Sequence, residues 1–525
     1  MPAGEPKISE RRTAETAPVV FAVLVLVVLS VAMVANAMTK ELGRDEQMYC
    51  TAGVLLARGK LIYRDFAYPS QLPYHPLLLA GLYRTLGTHH FLLTGRLVSV
   101  VCDVLVMVSI VGIFRSLFRA HRRAGLLLGV AAVVLYAFNP LVDYAAGYAW
   151  NHDVVILCVV LSLWLFITTD FQEKPRYGRL ALMGALLTFA TCMRITTALV
   201  EVAFLLALFL ASDGSLREKS RAALPFSAAS FLVLAWPVWL VAQAPRAFWT
   251  NLTHIPALYG RWLHEIGMTH SKATLTIAAL ATPGYLVLLA LVCYLGWVLC
   301  RRFSTLDRQA RPRVLLTALL PLVFFVIAFI PPTMWRQYLA VPVPFLVIAM
   351  AYPLALLRRQ TGAGTGKKPF TLACCFVGVG TILAVLSHPV VLYRMPLVLV
   401  PERWTPLQLH KVSVEIARKV EEPRLVCTLG PLQALEGGCD IYPELACGSI
   451  VYRVADLMSE PQRAMTHTVG PEGLKALVQS QNPAAVLVGV EPPYFSFLED
   501  PLRQLVGATW ERETYESGLQ VYFPR

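Results

Sequence analysis

Eleven apolar stretches recur along the chain, at 18–38, 90–114, 124–142, 153–169, 179–194, 196–212, 224–243, 273–299, 314–331, 338–357 and 369–387. Most have the length, about 17–25 residues, that crosses a bilayer as an α-helix. In hydrocarbon every backbone N–H and C=O must be satisfied within its own segment, so such runs can only be helices. The apolar run from 179 to 212 is too long for one span and divides at Arg194, where a charge interrupts it. The expected fold is an α-helical polytopic membrane protein.

Composition closes off the soluble alternatives. Of 525 residues, 56% are hydrophobic and only 15% charged, against roughly 25% charged in an ordinary soluble domain. Mean hydropathy is +0.58. A cytosolic enzyme, a disordered chain and a disulfide scaffold are excluded. The net charge is +13, but no zinc-finger spacing or base-stacking motif accompanies it, so nucleic acid is not an expected partner. The charge sits in alternate loops instead. Basic clusters occur at Lys7/Arg11/Arg12, Arg115/Arg119/Arg122/Arg123, Lys174/Arg176/Arg179, Arg217/Lys219/Arg221, Arg301/Arg302/Arg308/Arg311/Arg313 and Arg358/Arg359/Lys367/Lys368. All fall on one side if the N-terminus is cytoplasmic, as Lys and Arg prefer, and anionic lipid is their natural neighbour. Residues 39–89, 143–153, 244–272, 331–337 and those after about 388 then lie outside. Ala35-Asn36-Ala37 has the form of a signal-cleavage site, but the apolar run before it is longer than a signal h-region, and an uncleaved first helix is expected. The organisation read from these features is a cytoplasmic tail (1–17), a transmembrane domain (18–387) and an extracytoplasmic α/β domain (388–525). Bacterial plasma membrane is the expected location.

The tail carries helical patterns at Ser413–Val420 and Glu472–Gln479, and strand patterns at Arg424–Leu429, Ala484–Val490 and Leu519–Phe523, by the 3.6 and 2.0 periodicities of helix and strand. Its three cysteines, Cys427, Cys439 and Cys447, allow one disulfide with one thiol left over. The other eight cysteines lie in or beside apolar segments and read as small hydrophobes.

Fifty residues between the first two spans is long for a loop without a function. It reads Glu41-Leu-Gly-Arg-Asp45-Glu46-Gln-Met-Tyr49, then Gly59-Lys-Leu-Ile-Tyr63-Arg64-Asp65-Phe66, then Tyr68-Pro69 through Tyr74-His75-Pro76. Met48, Ala52, Leu55 and Leu56 share one helical face, so a helix from Asp45 is expected along the membrane interface. Asp and Glu at its start also suit a helix N-terminus without any chemistry.

This constellation resembles the GT-C membrane glycosyltransferases. These include the bacterial relatives of dolichyl-phosphate-mannose protein mannosyltransferases and of the transferase that puts aminoarabinose on lipid A. The likeness is sharpest over 41–86 and extends to the helix layout and the outer C-terminal domain. It implies a sugar donor on a polyprenyl phosphate and a lipid, glycan or protein acceptor, with inversion at the anomeric carbon by a hexosyl- or pentosyltransferase. The leaving group is already a stable phosphate anion. The chemistry therefore needs a base for the acceptor hydroxyl and cations for the phosphate. Asp45 stands at the position that the family uses for the base, with Glu46 beside it and Asp153, in Asn151-His152-Asp153, as the second acidic residue; Asp143 is a substitute. A divalent cation, Mg or Mn, is open, with the same three carboxylates to hold it.

Other residues are candidates on their own chemistry. Arg194 is an intramembrane cation that calls for an anionic partner. Arg336, in Trp335-Arg336-Gln337-Tyr338, is the single charge of its loop. Arg194, Arg336 and Arg64 are the candidates for binding the donor phosphate, and Lys60 is a further cation of the first loop. Tyr49, Tyr63, His152 and Tyr338 are candidates for substrate contact, and the aromatics of 244–272 suit sugar stacking or interfacial anchoring. The rival reading is a transporter or lipid flippase; a non-catalytic scaffold is a third. Against the first, no internal repeat is visible and the charges cluster at the outer interface.

Overall fold

The computed structural model describes residues 8–171, 177–268, 271–361, 368–507, 509–516 and 518–525. Lys7, Lys174, Arg176, Lys367 and most of the Gly-rich linker at 361–366 lie outside them. All eleven apolar stretches fall on helices. Eight helical segments, from Thr16–Thr39 to Lys368–Ser387, are long and apolar enough to cross a membrane. The helices His152–Thr168, Tyr177–Thr191 and Ala198–Ala211 are shorter. The expected span 273–299 is broken into Lys272–Leu280 and Pro283–Arg302, because Pro283 lacks the N–H needed to continue the first helix and suits the start of a second.

Packing sorts the helices. Only 22% of the apolar window is buried in Thr16–Thr39, Leu216–Gln243 and Lys368–Ser387, against 89% in Arg336–Gln360. The last is the centre of the bundle. The others turn side chains such as Leu24, Phe231, Leu232 and Ile382 outward, where a soluble protein would place polar groups and a bilayer welcomes apolar ones. Three basic loops meet at one end. Arg119, Arg313, Arg358 and Arg359 line a common cavity there with Thr168. Asn151 and His152 begin the helix that ends at Thr168, so they mark the opposite end of the bundle.

A five-stranded sheet follows, with strands β1 (Leu425–Thr428), β2 (Asp440–Ile441), β3 (Ala485–Val488), β4 (Trp510–Thr514) and β5 (Gln520–Pro524) in the order β2-β1-β3-β5-β4. β1 is parallel to β2 and β3; β5 is antiparallel to β3 and β4. β1 and β3 are buried throughout, as central strands with apolar runs should be. Cys427, Cys439 and Cys447 are all unpaired and buried. The open disulfide is not formed, and the Cys447 thiol instead donates to the Ala67 carbonyl at 2.9 Å.

The α/β part is clamped to the bundle. Arg44 pairs with Glu491 at 3.1 Å, Arg58 with Asp440 at 2.8 Å, and the Tyr259 hydroxyl donates to the Ile450 carbonyl. The helix Arg44–Ala57 was expected on the membrane surface. It is instead sandwiched between Tyr74–Leu86 and the helices Pro431–Glu436 and Ser449–Ala455 of the α/β part, which is why Met48, Ala52, Leu55 and Leu56 are buried. The helices Arg44–Ala57 and Tyr74–Leu86 approach so closely that a Cβ at Gly53 would lie 2.9 Å from the Leu79 Cβ.

Candidate active site

The site starts at the first turn of Arg44–Ala57. Glu46, the third helical residue, reaches back to accept the Gly43 N–H at 2.8 Å, half of a capping box. Side chains of neighbouring helical residues point roughly 100° apart, so Asp45 and Glu46 face different surroundings. Glu46 is fully buried and pairs with Arg96 at 2.8 Å, both side chains at 0% exposure. It also accepts the Ala149 N–H at 2.7 Å. Arg96 directs its remaining donors to the carbonyls of Ala37, Lys40 and Glu41. This pair locks the end of the first span, the loop after it and the second span together.

Asp45 opens on a cavity of about 420 Å³. Its walls come from four outer segments of the bundle and from the α/β part. They include Tyr49, Pro69, Gln71, Arg194, Trp249, Tyr259, Pro331, Trp335, Tyr338 and Arg453. Burial pushes the Asp45 carboxyl above its ordinary range; the Arg453 and Arg44 guanidiniums pull it back down, and Glu46 pushes it up. Among the described residues Asp45 accepts no side-chain or backbone hydrogen bond.

Two arginines share the cavity with Asp45. Arg194 is only 9% exposed. It lies over the Tyr338 ring at 4.7 Å and one Nη is 3.1 Å from His152 Nδ1. Among the described residues no carboxylate pairs with it; Glu201 is held by Thr188, Thr191 and Ser230. Arg453 was absent from the sequence candidates. It projects from Ser449–Ala455 and stacks on Tyr259 and Trp262 at 4.8 and 5.1 Å. Its Nε is buried without a hydrogen-bond partner. One signal for it exists in the sequence: it is the single charge in the otherwise apolar and small Ser449-Ile-Val-Tyr-Arg-Val-Ala455.

The structure brings Asp45, Tyr49, Arg194 and Tyr338 to one cavity, with His152 directly behind Arg194. It keeps other candidates apart. Asp153 is buried and accepts the Gly147 N–H at 3.0 Å. Gly147 has φ +83° and a Cβ there would lie 2.8 Å from Ala37, so this turn demands glycine. Asp143 pairs with Arg394 and His388. Arg64 is exposed and pairs with Asp65. Arg336 lies outside the cavity, exposed, over the Tyr144 ring at 5.1 Å, and Lys60 is exposed as well. Tyr63 is buried and donates to the Gln71 carbonyl at 2.7 Å. The Asp65 carboxylate accepts the Leu61 N–H at 2.7 Å. The Gly-x-x-x-Tyr-x-Asp-Phe segment thus folds on itself and sets the backbone of Pro69–Gln71, which the cavity uses. Asn251, a formal glycosylation sequon, is buried and binds the Tyr68 N–H and Ala247 carbonyl. The set Asp45, Glu46 and Asp153 does not converge for a cation, because Arg96 engages Glu46 and Gly147 engages Asp153.

The fold recurs in known proteins. ArnT from Cupriavidus metallidurans superposes with a TM-score of 0.62 in the structure bound to undecaprenyl phosphate, at 15% identity over 97% of this chain and 98% of that one. In the apo state the values are 0.63, 16%, 97% and 98%. The Archaeoglobus fulgidus oligosaccharyltransferase, tethered with an acceptor peptide containing the NVT sequon, superposes with a TM-score of 0.53 at 11% identity, covering 96% of this chain and 74% of that one. These likenesses show the class of fold, which this chain shares with ArnT and the archaeal oligosaccharyltransferase. Within it, residues 70–241 match the family model of dolichyl-phosphate-mannose-protein mannosyltransferase, about a third of the chain. No curated protein matches the sequence.

Proposed function

We propose that the chain is a glycosyltransferase that moves one sugar from a polyprenyl-phosphate donor to an acceptor on the outer side of the membrane. The observation that carries this reading is the cavity lined by Asp45, a carboxylate without a hydrogen bond among the described residues, and by Arg194 and Arg453, two guanidiniums without carboxylate partners among them. A base and two cations are what the reaction needs. The acceptor oxygen attacks the anomeric carbon while the bond from that carbon to the phosphate oxygen breaks. The phosphate leaves with the bonding pair, the sugar inverts, and Asp45 takes the acceptor proton. Arg194 and Arg453 balance the phosphate charge, and being held on Tyr338, Tyr259 and Trp262 they need little reorganisation. His152 buttresses Arg194, and Tyr49 and Tyr338 offer surfaces to the sugar. ArnT, which shares the fold, was solved with undecaprenyl phosphate, a ligand of the required class. Sugar and acceptor identity are set by the cavity's detailed shape, as one fold carries many substrates.

Lipids that co-purify in mild detergent test this. Mass spectrometry of the wild type should reveal polyprenyl phosphate or its glycoside, the mass giving the sugar. Arg194→Ala and Arg453→Ala should each reduce it at least tenfold. Bulk phospholipid alone, unchanged in both variants, would move the assignment toward a transporter or flippase.

A further inference from the structure

We infer that His90, His410 and Glu436 form a divalent-metal site, suited to zinc, that clips the α/β part to the membrane bundle. It lies outside the Asp45 cavity and does not depend on the proposed transferase activity. His90 is the N-cap of the span Phe91–Leu117. His410 lies in the helix Thr405–Ala417, and Glu436 ends the helix Pro431–Glu436. One ligand atom from each lies within 4.8 Å of the other two.

Three observations point to a cation rather than a packing cluster. First, His90 Nδ1, His410 Nδ1 and Glu436 Oε1 are all buried with no hydrogen-bond partner. Orphans among buried polar atoms are uncommon, and three residues whose ligand atoms cluster within 4.8 Å of one another are more so. Second, the Glu436 carboxylate is already oriented. Its Oε2 accepts the Phe91 and Leu92 N–H groups at 3.0 and 3.3 Å, which leaves Oε1 as the free oxygen. Third, His410 Nδ1 and Glu436 Oε1 are 3.5 Å apart. That is long for a hydrogen bond but close to the edge, about 3.4 Å, of a tetrahedron with zinc bonds near 2.1 Å.

The two imidazoles stack at 3.7 Å between centroids, tilted by 34°. A ring nitrogen's lone pair lies in the ring plane, so binding one ion through both rings requires one imidazole to turn out of this stack. Two histidines and one carboxylate suit zinc, which binds borderline nitrogen and oxygen donors in tetrahedral array. Both histidines are partly exposed, so water can supply the fourth ligand. The second carboxylate oxygen, bonded to backbone N–H groups, provides the outer support that metal ligands usually have.

The clip is tested on full-length protein without a histidine tag, stripped with EDTA and desalted. Zinc chloride is titrated by competition against a chromophoric chelator, and thermal unfolding is followed with and without zinc. The wild type should take up one zinc per chain and unfold at higher temperature with zinc. His410→Ala and His90→Ala should bind at least tenfold more weakly and lose the thermal response, whereas Asp45→Asn should keep both. If an alanine variant fails to fold, His410→Gln and His90→Gln serve in its place. No uptake by the wild type, or equal uptake by the wild type and both histidine variants, overturns the site. Neither readout involves sugar transfer, so failure here is distinct from failure of the transferase reading.

Discussion

Asp45 and Arg453 line one cavity, and the effect of the arginine on the carboxyl gives a pH profile with a definite sign. A base must be deprotonated to accept the hydroxyl proton, so transfer falls as pH drops through the Asp45 pKa. Burial raises that pKa, and the acid limb of kcat/KM should lie above the ordinary carboxyl value of about 3.9. Arg453 acts in the opposite direction. Arg453→Ala should therefore move the limb to still higher pH while weakening donor binding. A limb that stays put or moves down would remove Asp45 from the role of base. Asp45→Asn should lower kcat by about 10²–10⁴-fold, the range for a lost general base, and leave the co-purified lipid in place. A full-rate Asn variant would likewise remove Asp45 from the role of base. Asp45 was legible in the sequence because it heads a recognisable segment. Arg453 was not: the aromatics beneath it, Tyr259 and Trp262, lie almost two hundred positions earlier in sequence.

At the scale of elements, the buried pair Glu46–Arg96 holds the start of Arg44–Ala57 against the second span. Glu46→Gln leaves the Arg96 charge without its counter-ion, a change that costs about 3–5 kcal/mol when a buried pair is broken. Reduced unfolding stability in detergent should record it, and the Glu46→Gln/Arg96→Met double variant should recover most of the loss. Independent, additive effects would mean that the pair is not coupled. Apolar length made the spans readable, but it also concealed Arg96, a lone charge early in a helix whose other residues are mostly apolar. Its partner lies fifty residues upstream, and local pattern cannot report a contact at that separation. The same limit explains Glu46. Sequence adjacency to Asp45 suggested a shared task, whereas the helical rotation between neighbours sends the two carboxylates to different faces.

For the whole molecule, the bundle has a basic end, lined by Arg119, Arg313, Arg358 and Arg359, and an opposite end with the Asp45 cavity and the sheet. The positive-inside preference then predicts the basic end in the cytoplasm. In a background without the exposed native Cys293, Cys300 and Cys375, a cysteine replacing exposed Glu516 should react with an impermeant thiol reagent in spheroplasts, and one replacing exposed Arg123 only after lysis. The reverse pattern would invert the topology. The helix layout, the α/β tail and its three interior strands, β1, β3 and β5, were readable from periodicity. The short β2, the edge strand β4 and the docking of the tail were not, since β2 spans two residues and docking rests on scattered single contacts such as Cys447 to Ala67.

Arg453 lies far along the chain, yet with Ile450 it closes a cavity whose other walls come from residues 45 to 338. Protein synthesis runs in the opposite sense to this dependence: the spans and Asp45 are made first, and the last cation arrives only when the tail has folded and docked. A chain halted before that point would carry the base without its full complement of counter-charge. Completion of the cavity is thus tied to completion of the polypeptide.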